Sequence, residues 1–88
     1  MTHPKADDVR TMVRTFILKE FLPGADPSEL TDTTPLISGG ILDSLATVKL
    51  VAVLEEKYGI EIQPHEASVG HMDTVDAITS LVTGKMKS

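Results

Sequence analysis

Ser44 has the clearest claim to chemistry in this chain. It sits in the segment Gly39-Gly40-Ile41-Leu42-Asp43-Ser44-Leu45. The two glycines let the backbone turn sharply. Asp43 is a good helix N-cap, because its carboxylate can accept bonds from the free N–H groups of a first turn. Ser44 then stands in that turn, where a hydroxyl can point into solvent, with Leu45 beside it as an apolar anchor. A catalytic serine needs a base within hydrogen-bond reach. The histidines are His3, His65 and His71, and nothing in the sequence aims His65 or His71 at Ser44, while His3 lies at the chain start. Gly39-Gly40 does not match the flanking glycines of a nucleophile elbow either. No catalytic residue is expected.

Other site chemistries find less support. The chain has no Cys, which excludes a disulfide framework, a thiolate metal site and a cysteine nucleophile. His65 and His71 are six positions apart, poor spacing for two ligands on one helical face. They read as surface histidines near helix ends. The acid clusters do not match an EF-hand loop. No metal is expected.

The elements around Ser44 read as helices. Val9, Met12, Val13, Phe16 and Ile17 form one apolar stripe, which predicts a helix over residues 5 to about 21. Asp7 and Asp8 suit its first turn, and Pro23-Gly24 stops it. Residues 22–42 form a long loop with Pro23, Gly24, Pro27, Pro35, Gly39 and Gly40. Leu30, Leu36, Ile37, Ile41 and Leu42 tack it onto the bundle, and residues 28–30 suit one helical turn. A loop this long in so small a domain is often functional. The strongest helix runs from Asp43 to about residue 58, with Gly59 as its C-cap. Ile60-Glu61-Ile62 is an extended connector with both Ile side chains inward. A short helix is expected over 64 to about 69, ended by Gly70. The last runs over 73 to about 83, capped by Asp73, striped by Val75, Ile78, Leu81 and Val82, and closed by Gly84, with residues 85–88 frayed.

The chain has 88 residues, enough for one domain and too few for two. A single domain over 1–88 is expected, ordered from about 5 to 83. Aromatics are only 3% of the chain, so the core must be built from aliphatic side chains and Met. The start, Met1-Thr2-His3-Pro4, lacks the apolar block of a signal peptide, and no apolar run approaches a membrane span. A cytoplasmic monomer without stable membrane insertion is expected. The formal net charge is −5, and between Glu20 and Asp76 eleven carboxylates face only Lys49 and Lys57. An acidic body repels nucleic acid and attracts basic protein surfaces, although such charge also serves plain solubility.

Asp43-Ser44-Leu45 at the start of a second helix resembles the signature of the acyl carrier protein superfamily, which includes peptidyl and D-alanyl carriers. The similarity extends through Val48, Leu50, Val51, Leu54-Glu55-Glu56, Tyr58, Ile60 and Ile62, and resumes at Thr74-Val75 and Ile78. The resemblance implies an all-α four-helix carrier-protein bundle, three helices longer and one short, with the long loop between the first and second. It implies that a phosphopantetheinyl transferase moves the 4′-phosphopantetheine of coenzyme A onto Ser44. The thiol of that arm would hold an acyl or aminoacyl group as a thioester. Other partners implied are a loading ligase or acyltransferase and a downstream synthase or transferase, in fatty-acid-like, polyketide, nonribosomal peptide or cell-envelope pathways. A phosphodiester on Ser44 would sit at a helix N-terminus, where free N–H groups and the macrodipole favour negative charge. In the family reading Asp43 helps the transferase orient its metal and coenzyme A; as plain structure it is a cap, and the two roles can coexist.

Fatty-acid-synthase carriers usually have acids directly after the motif Leu and a turn further on. Here those places hold Ala46 and Lys49. This makes the chain look closer to D-alanyl, peptidyl and stand-alone secondary-metabolism carriers. Asp43, Leu45, Val48, Lys49 and Ile62 are expected to form the surface that partners read, although Val48 suits the core equally well by periodicity. Glu55 and Glu56 read as a solvated face. The rival from another class is an unmodified helical adaptor that binds a basic protein partner.

Overall fold

The computed structural model describes residues 6–86. His3, the rest of the chain start, Lys87 and Ser88 lie outside the described residues. Four α-helices follow in order: α1 (Ala6–Phe21), α2 (Ser44–Tyr58), α3 (Val69–Met72) and α4 (Val75–Met86). Two 3-10 turns, Pro27–Glu29 and Pro64–Glu66, punctuate the connections. No strand occurs among the described residues. The all-α bundle of three longer helices and one short one is as expected.

The apolar stripes meet in one core. Val9, Val13 and Ile17 of α1, Leu50 and Leu54 of α2, Met72 of α3, and Val75, Ile78 and Val82 of α4 are all fully buried. The long loop contributes Leu30, Leu36 and Leu42 to the same cluster. Its polar backbone is tied down by α1. The Arg14 guanidinium donates to the carbonyls of Leu30 (2.7 Å) and Pro27 (3.1 Å). Arg10 lies against Asp7, Asp32 and Asp76 at 3.0, 3.4 and 3.1 Å. It thereby joins α1 to the loop and to α4.

α2 begins and ends where its caps allow. Asp43 accepts a 2.7 Å bond from Ala46 N, and Gly59 closes the helix at φ 65°, a left-handed conformation natural to glycine. The connector behind it is held by Glu55, whose carboxylate accepts Ile62 N at 2.8 Å. Glu55 is therefore a structural acceptor and not part of a solvated face; Glu56 is exposed.

The C-terminal third departs from expectation at several points. The helix expected over 64–69 is split into a 3-10 turn and α3, and Gly70 lies within α3 instead of ending a helix. The cap of α4 is Thr74, whose hydroxyl accepts Ala77 N at 3.0 Å. Asp73 is turned away toward the loop before Ser44. Gly84 does not close α4, which continues to Met86. A 2.8 Å ion pair from Lys85 to Glu66 supports that extra turn against the 3-10 segment. Glycine lowers helix propensity by only about 1 kcal/mol, which such tertiary contacts offset.

Candidate functional site

Ser44 is the first residue of α2 and is exposed. Its hydroxyl makes no hydrogen bond among the described residues, to histidine, carboxylate or backbone. The cap holds the backbone around it. Asp43 takes Ala46 N on Oδ1, its carbonyl takes Thr47 N at 2.9 Å and Thr47 Oγ1 at 2.8 Å, and its Oδ2 has no partner among the described residues. The Ser44 side chain is thus fixed at its root and free at its tip, beside the first-turn N–H groups of a 15-residue helix.

The approach to Ser44 is a folded loop. Leu42 N donates to Leu36 O at 2.9 Å and Gly40 N to Ile37 O at 3.1 Å. Gly40 adopts φ 84°, where a side chain would be strained. A Cβ at Gly39 would run into the carbonyl of Pro35. Both glycines are required by geometry, as their pairing suggests. Asp73 fastens this loop from the α3–α4 corner by accepting Ile37 N, Ser38 N and Ser38 Oγ. Those donors, Ser38 foremost, hold its carboxyl below the usual carboxylate range.

Ser44 opens onto a groove of about 650 Å³ between α2 and the 64–69 segment. Ile37, Leu42, Thr47, Val48, Ala67 and Val69 line much of it. That volume lies in the range of small-ligand sites, and the lining is mostly apolar. A smaller hollow on the other flank of α2 is bordered by Phe21, Leu45 and Lys49.

The sequence-expected partner residues separate into two sets. Leu45 is 79% exposed and Val48 64% exposed, so Val48 belongs to the surface and not to the core. Lys49 is exposed and lies 3.6 Å from Glu20. Asp43 is exposed at the helix mouth. Ile62 is corrected: it is only 6% exposed. Its amide bond to Glu55 turns the extended connector so that the side chain enters the core. Val69, 52% exposed on α3, takes a place on the groove that periodicity did not assign. Its signal was an apolar residue at the edge of a segment too short to show a stripe. His65 and His71 are both exposed, with ring centroids 6.4 Å apart. No group of three potential metal ligands occurs among the described residues.

A helical bundle that presents an exposed hydroxyl at a helix mouth, beside a groove, suits a platform for a covalently held group. The comparisons agree on the class. The chain matches the family described as "Phosphopantetheine attachment site" over residues 17–82, and it belongs to that family of carriers. It is 39% identical over 66 residues to "Lincomycin biosynthesis protein LmbN" of Streptomyces lincolnensis, a match covering 75% of this chain and 24% of that protein. The chain thus spans about a quarter of that relative's length. A solved structure described as "Crystal structure of FAD-dependent dehydrogenase" superposes with a TM-score of 0.71 at 37% identity, covering 80% of this chain and 97% of the matched one. "Structure of KstB-PCP(apo)" superposes with a TM-score of 0.67 at 24% identity, covering 91% and 88%, and shows the same fold.

These likenesses bear out the carrier resemblance. The chain is a carrier of thioester-bound groups, and its cofactor is covalently attached 4′-phosphopantetheine. The unmodified adaptor is not favoured. The family is not itself catalytic, which fits a chain without enzyme activity of its own. Carriers of this kind meet modifying and biosynthetic enzymes. No helix among the described residues is long and apolar enough to cross a membrane.

Proposed function

We propose that Ser44 is the attachment residue and that the chain carries an acyl or aminoacyl group through a secondary-metabolite pathway. The observation behind this reading is the unpartnered, exposed Ser44 hydroxyl at the N-terminus of α2. In the attachment step Ser44 Oγ bonds to the phosphorus nearest the pantetheine of coenzyme A. The pyrophosphate bond breaks, the adenosine bisphosphate leaves, and the hydroxyl proton passes to a base on the transferase. The residues present fit the resulting phosphodiester, because α2 offers first-turn N–H groups and the positive end of its dipole. The arm supplies the thiol that this cysteine-free chain lacks. Asp43 caps α2 with Oδ1 and offers Oδ2 to the metal of the transferase. Thr47 holds the first turn closed through its bond to the Asp43 carbonyl.

Leu45, Val48 and Val69 form the apolar part of the surface that partners read. Lys49, neutralised in part by Glu20, removes negative charge from the stretch of α2 next to the serine. Such a face suits partners whose docking sites are apolar and not strongly basic. A loading ligase or acyltransferase fills the arm, and a downstream synthase or transferase empties it.

Intact mass tests the reading. The chain is incubated with coenzyme A, magnesium and a broad-range phosphopantetheinyl transferase. Wild type should gain one phosphopantetheine, and Ser44→Ala should gain none while keeping its helical circular dichroism. No gain by wild type, or a gain that survives in Ser44→Ala, defeats it.

A further inference from the structure

The loop that delivers Ser44 is held from across the molecule. Asp73 Oδ1 accepts the amides of Ile37 and Ser38, both at 2.8 Å, and its Oδ2 accepts Ser38 Oγ at 2.7 Å. The main chain adds Leu36 N to Asp73 O at 2.6 Å. Leu36 is also the residue whose carbonyl receives Leu42 N, and Leu42 directly precedes the cap Asp43. One residue at the α3–α4 corner thus grips the base of the loop from which α2 springs. It also joins the two walls of the groove, for Ile37 and Leu42 stand on the loop side while Ser68 and Val69 stand on the α3 side.

A carboxylate that accepts three donors on one short segment fixes that segment strongly. Leu36 and Leu42 anchor the ends of the loop in the core, but among the described residues no other side chain accepts a hydrogen bond from residues 36–40. Residues 37–40 are exposed or half-buried, and their internal bond, Gly40 to Ile37, is a single turn.

We propose that Asp73 is a positioning residue for arm transfer: it holds the 36–42 loop, and with it the mouth of α2, in the arrangement that the transferase meets. The inference rests on Ser44 being the attachment site. A loop ordered in advance lowers the conformational cost of docking. It does not alter the chemistry once the complex has formed. Asp73 therefore acts on the KM for the carrier and not on kcat.

The test is steady-state transfer from coenzyme A by a broad-range phosphopantetheinyl transferase, with the carrier concentration varied. Wild type is compared with Asp73→Ala, Asp73→Asn, Ser38→Ala and Val13→Ala. Val13 is fully buried in α1, and its truncation weakens the fold without touching the clamp. Asp73→Ala should raise KM about tenfold and leave kcat within about twofold. Ser38→Ala should move KM the same way by less. Asp73→Asn should recover most of the loss, since its carbonyl still accepts both amides and its NH2 can donate to Ser38 Oγ. Val13→Ala should lower Tm and leave KM unchanged. Amide exchange at Ile37 and Ser38 should quicken in Asp73→Ala and not in Val13→Ala. An unchanged KM in Asp73→Ala overturns the proposal, as does a fall in kcat alone or an equal rise in KM for Val13→Ala. If Asp73→Ala does not fold, Ser38→Ala decides by the same criteria. A wild type that gains no arm sinks the Ser44 reading and this one together; normal loading of both wild type and Asp73→Ala sinks this one alone.

Discussion

At the scale of single residues, the site depends on which polar groups are used and which are left over. Ser44 is left over and Asp73 is fully used. The folded-state pKa of Asp73 is depressed by the Ser38 and Ile37 donors, so its bonds add stability wherever the carboxylate is charged. That contribution is complete above the unfolded value of about 4. It is lost as pH falls through the lower folded value. The Tm gap between wild type and Asp73→Ala should therefore be constant near neutrality and shrink below about pH 4; a gap that widens in acid contradicts the assignment. Lys49 is proposed as a specificity residue on the same scale. Lys49→Glu should improve docking to the basic sites of fatty-acid-synthase enzymes. Its cost in stability should be small, because the exposed Lys49–Glu20 pair at 3.6 Å is worth at most about 1 kcal/mol. A surface-binding assay with wild type and variant checks both; equal docking removes the main support for a specialised partner set.

At the scale of elements, the loop before α2 matters as much as the helix. Its two glycines answer different demands: Gly40 supplies a left-handed backbone at φ 84°, while Gly39 leaves room for the Pro35 carbonyl. Gly39→Ala should force the loop to shift and cost about 1–3 kcal/mol, read as a lower denaturant midpoint with unchanged m-value. Arm transfer should weaken in parallel, because the same shift disturbs the Asp73 clamp. A stable Gly39→Ala that loads normally would show that the loop tolerates rearrangement. α3, by contrast, is only four residues long. Its contribution is to set Val69 on one wall of the groove while Met72 anchors it in the core.

At the scale of the whole molecule, the bundle is a packed frame that presents Ser44 at its surface. Its radius of gyration, 12.1 Å, is the value of about 12 Å expected for a compact chain of this length. The surface carries a net −5, a field that steers basic partners at distances beyond contact. The exposed apolar Leu45, Val48 and Val69, proposed above as docking residues, would act only on contact. Raising salt should therefore slow association with a basic-faced transferase several-fold and leave dissociation nearly unchanged. Stopped-flow kinetics at two ionic strengths checks this; a salt effect confined to dissociation assigns the docking energy to charge instead.

The helix stripes, the Asp43 cap, the Gly59 terminus and the serine that follows the cap were all legible in the residues alone. They depend on neighbours three or four positions away, and local chemistry decides them. Tertiary structure decided the rest. Asp73 reads locally as a helix cap, yet Thr74 takes that role because the Asp73 carboxylate finds three donors on a loop 35 residues earlier. Ile62 reads both as an inward side chain of the connector and as part of the partner surface, and the bond from its amide to Glu55 accompanies the inward choice. Gly84 reads as a stop until the Lys85–Glu66 pair carries α4 past it. Contacts between segments distant in the chain leave no periodic trace in it, so only the packed bundle could show what fastens Ser44 in place.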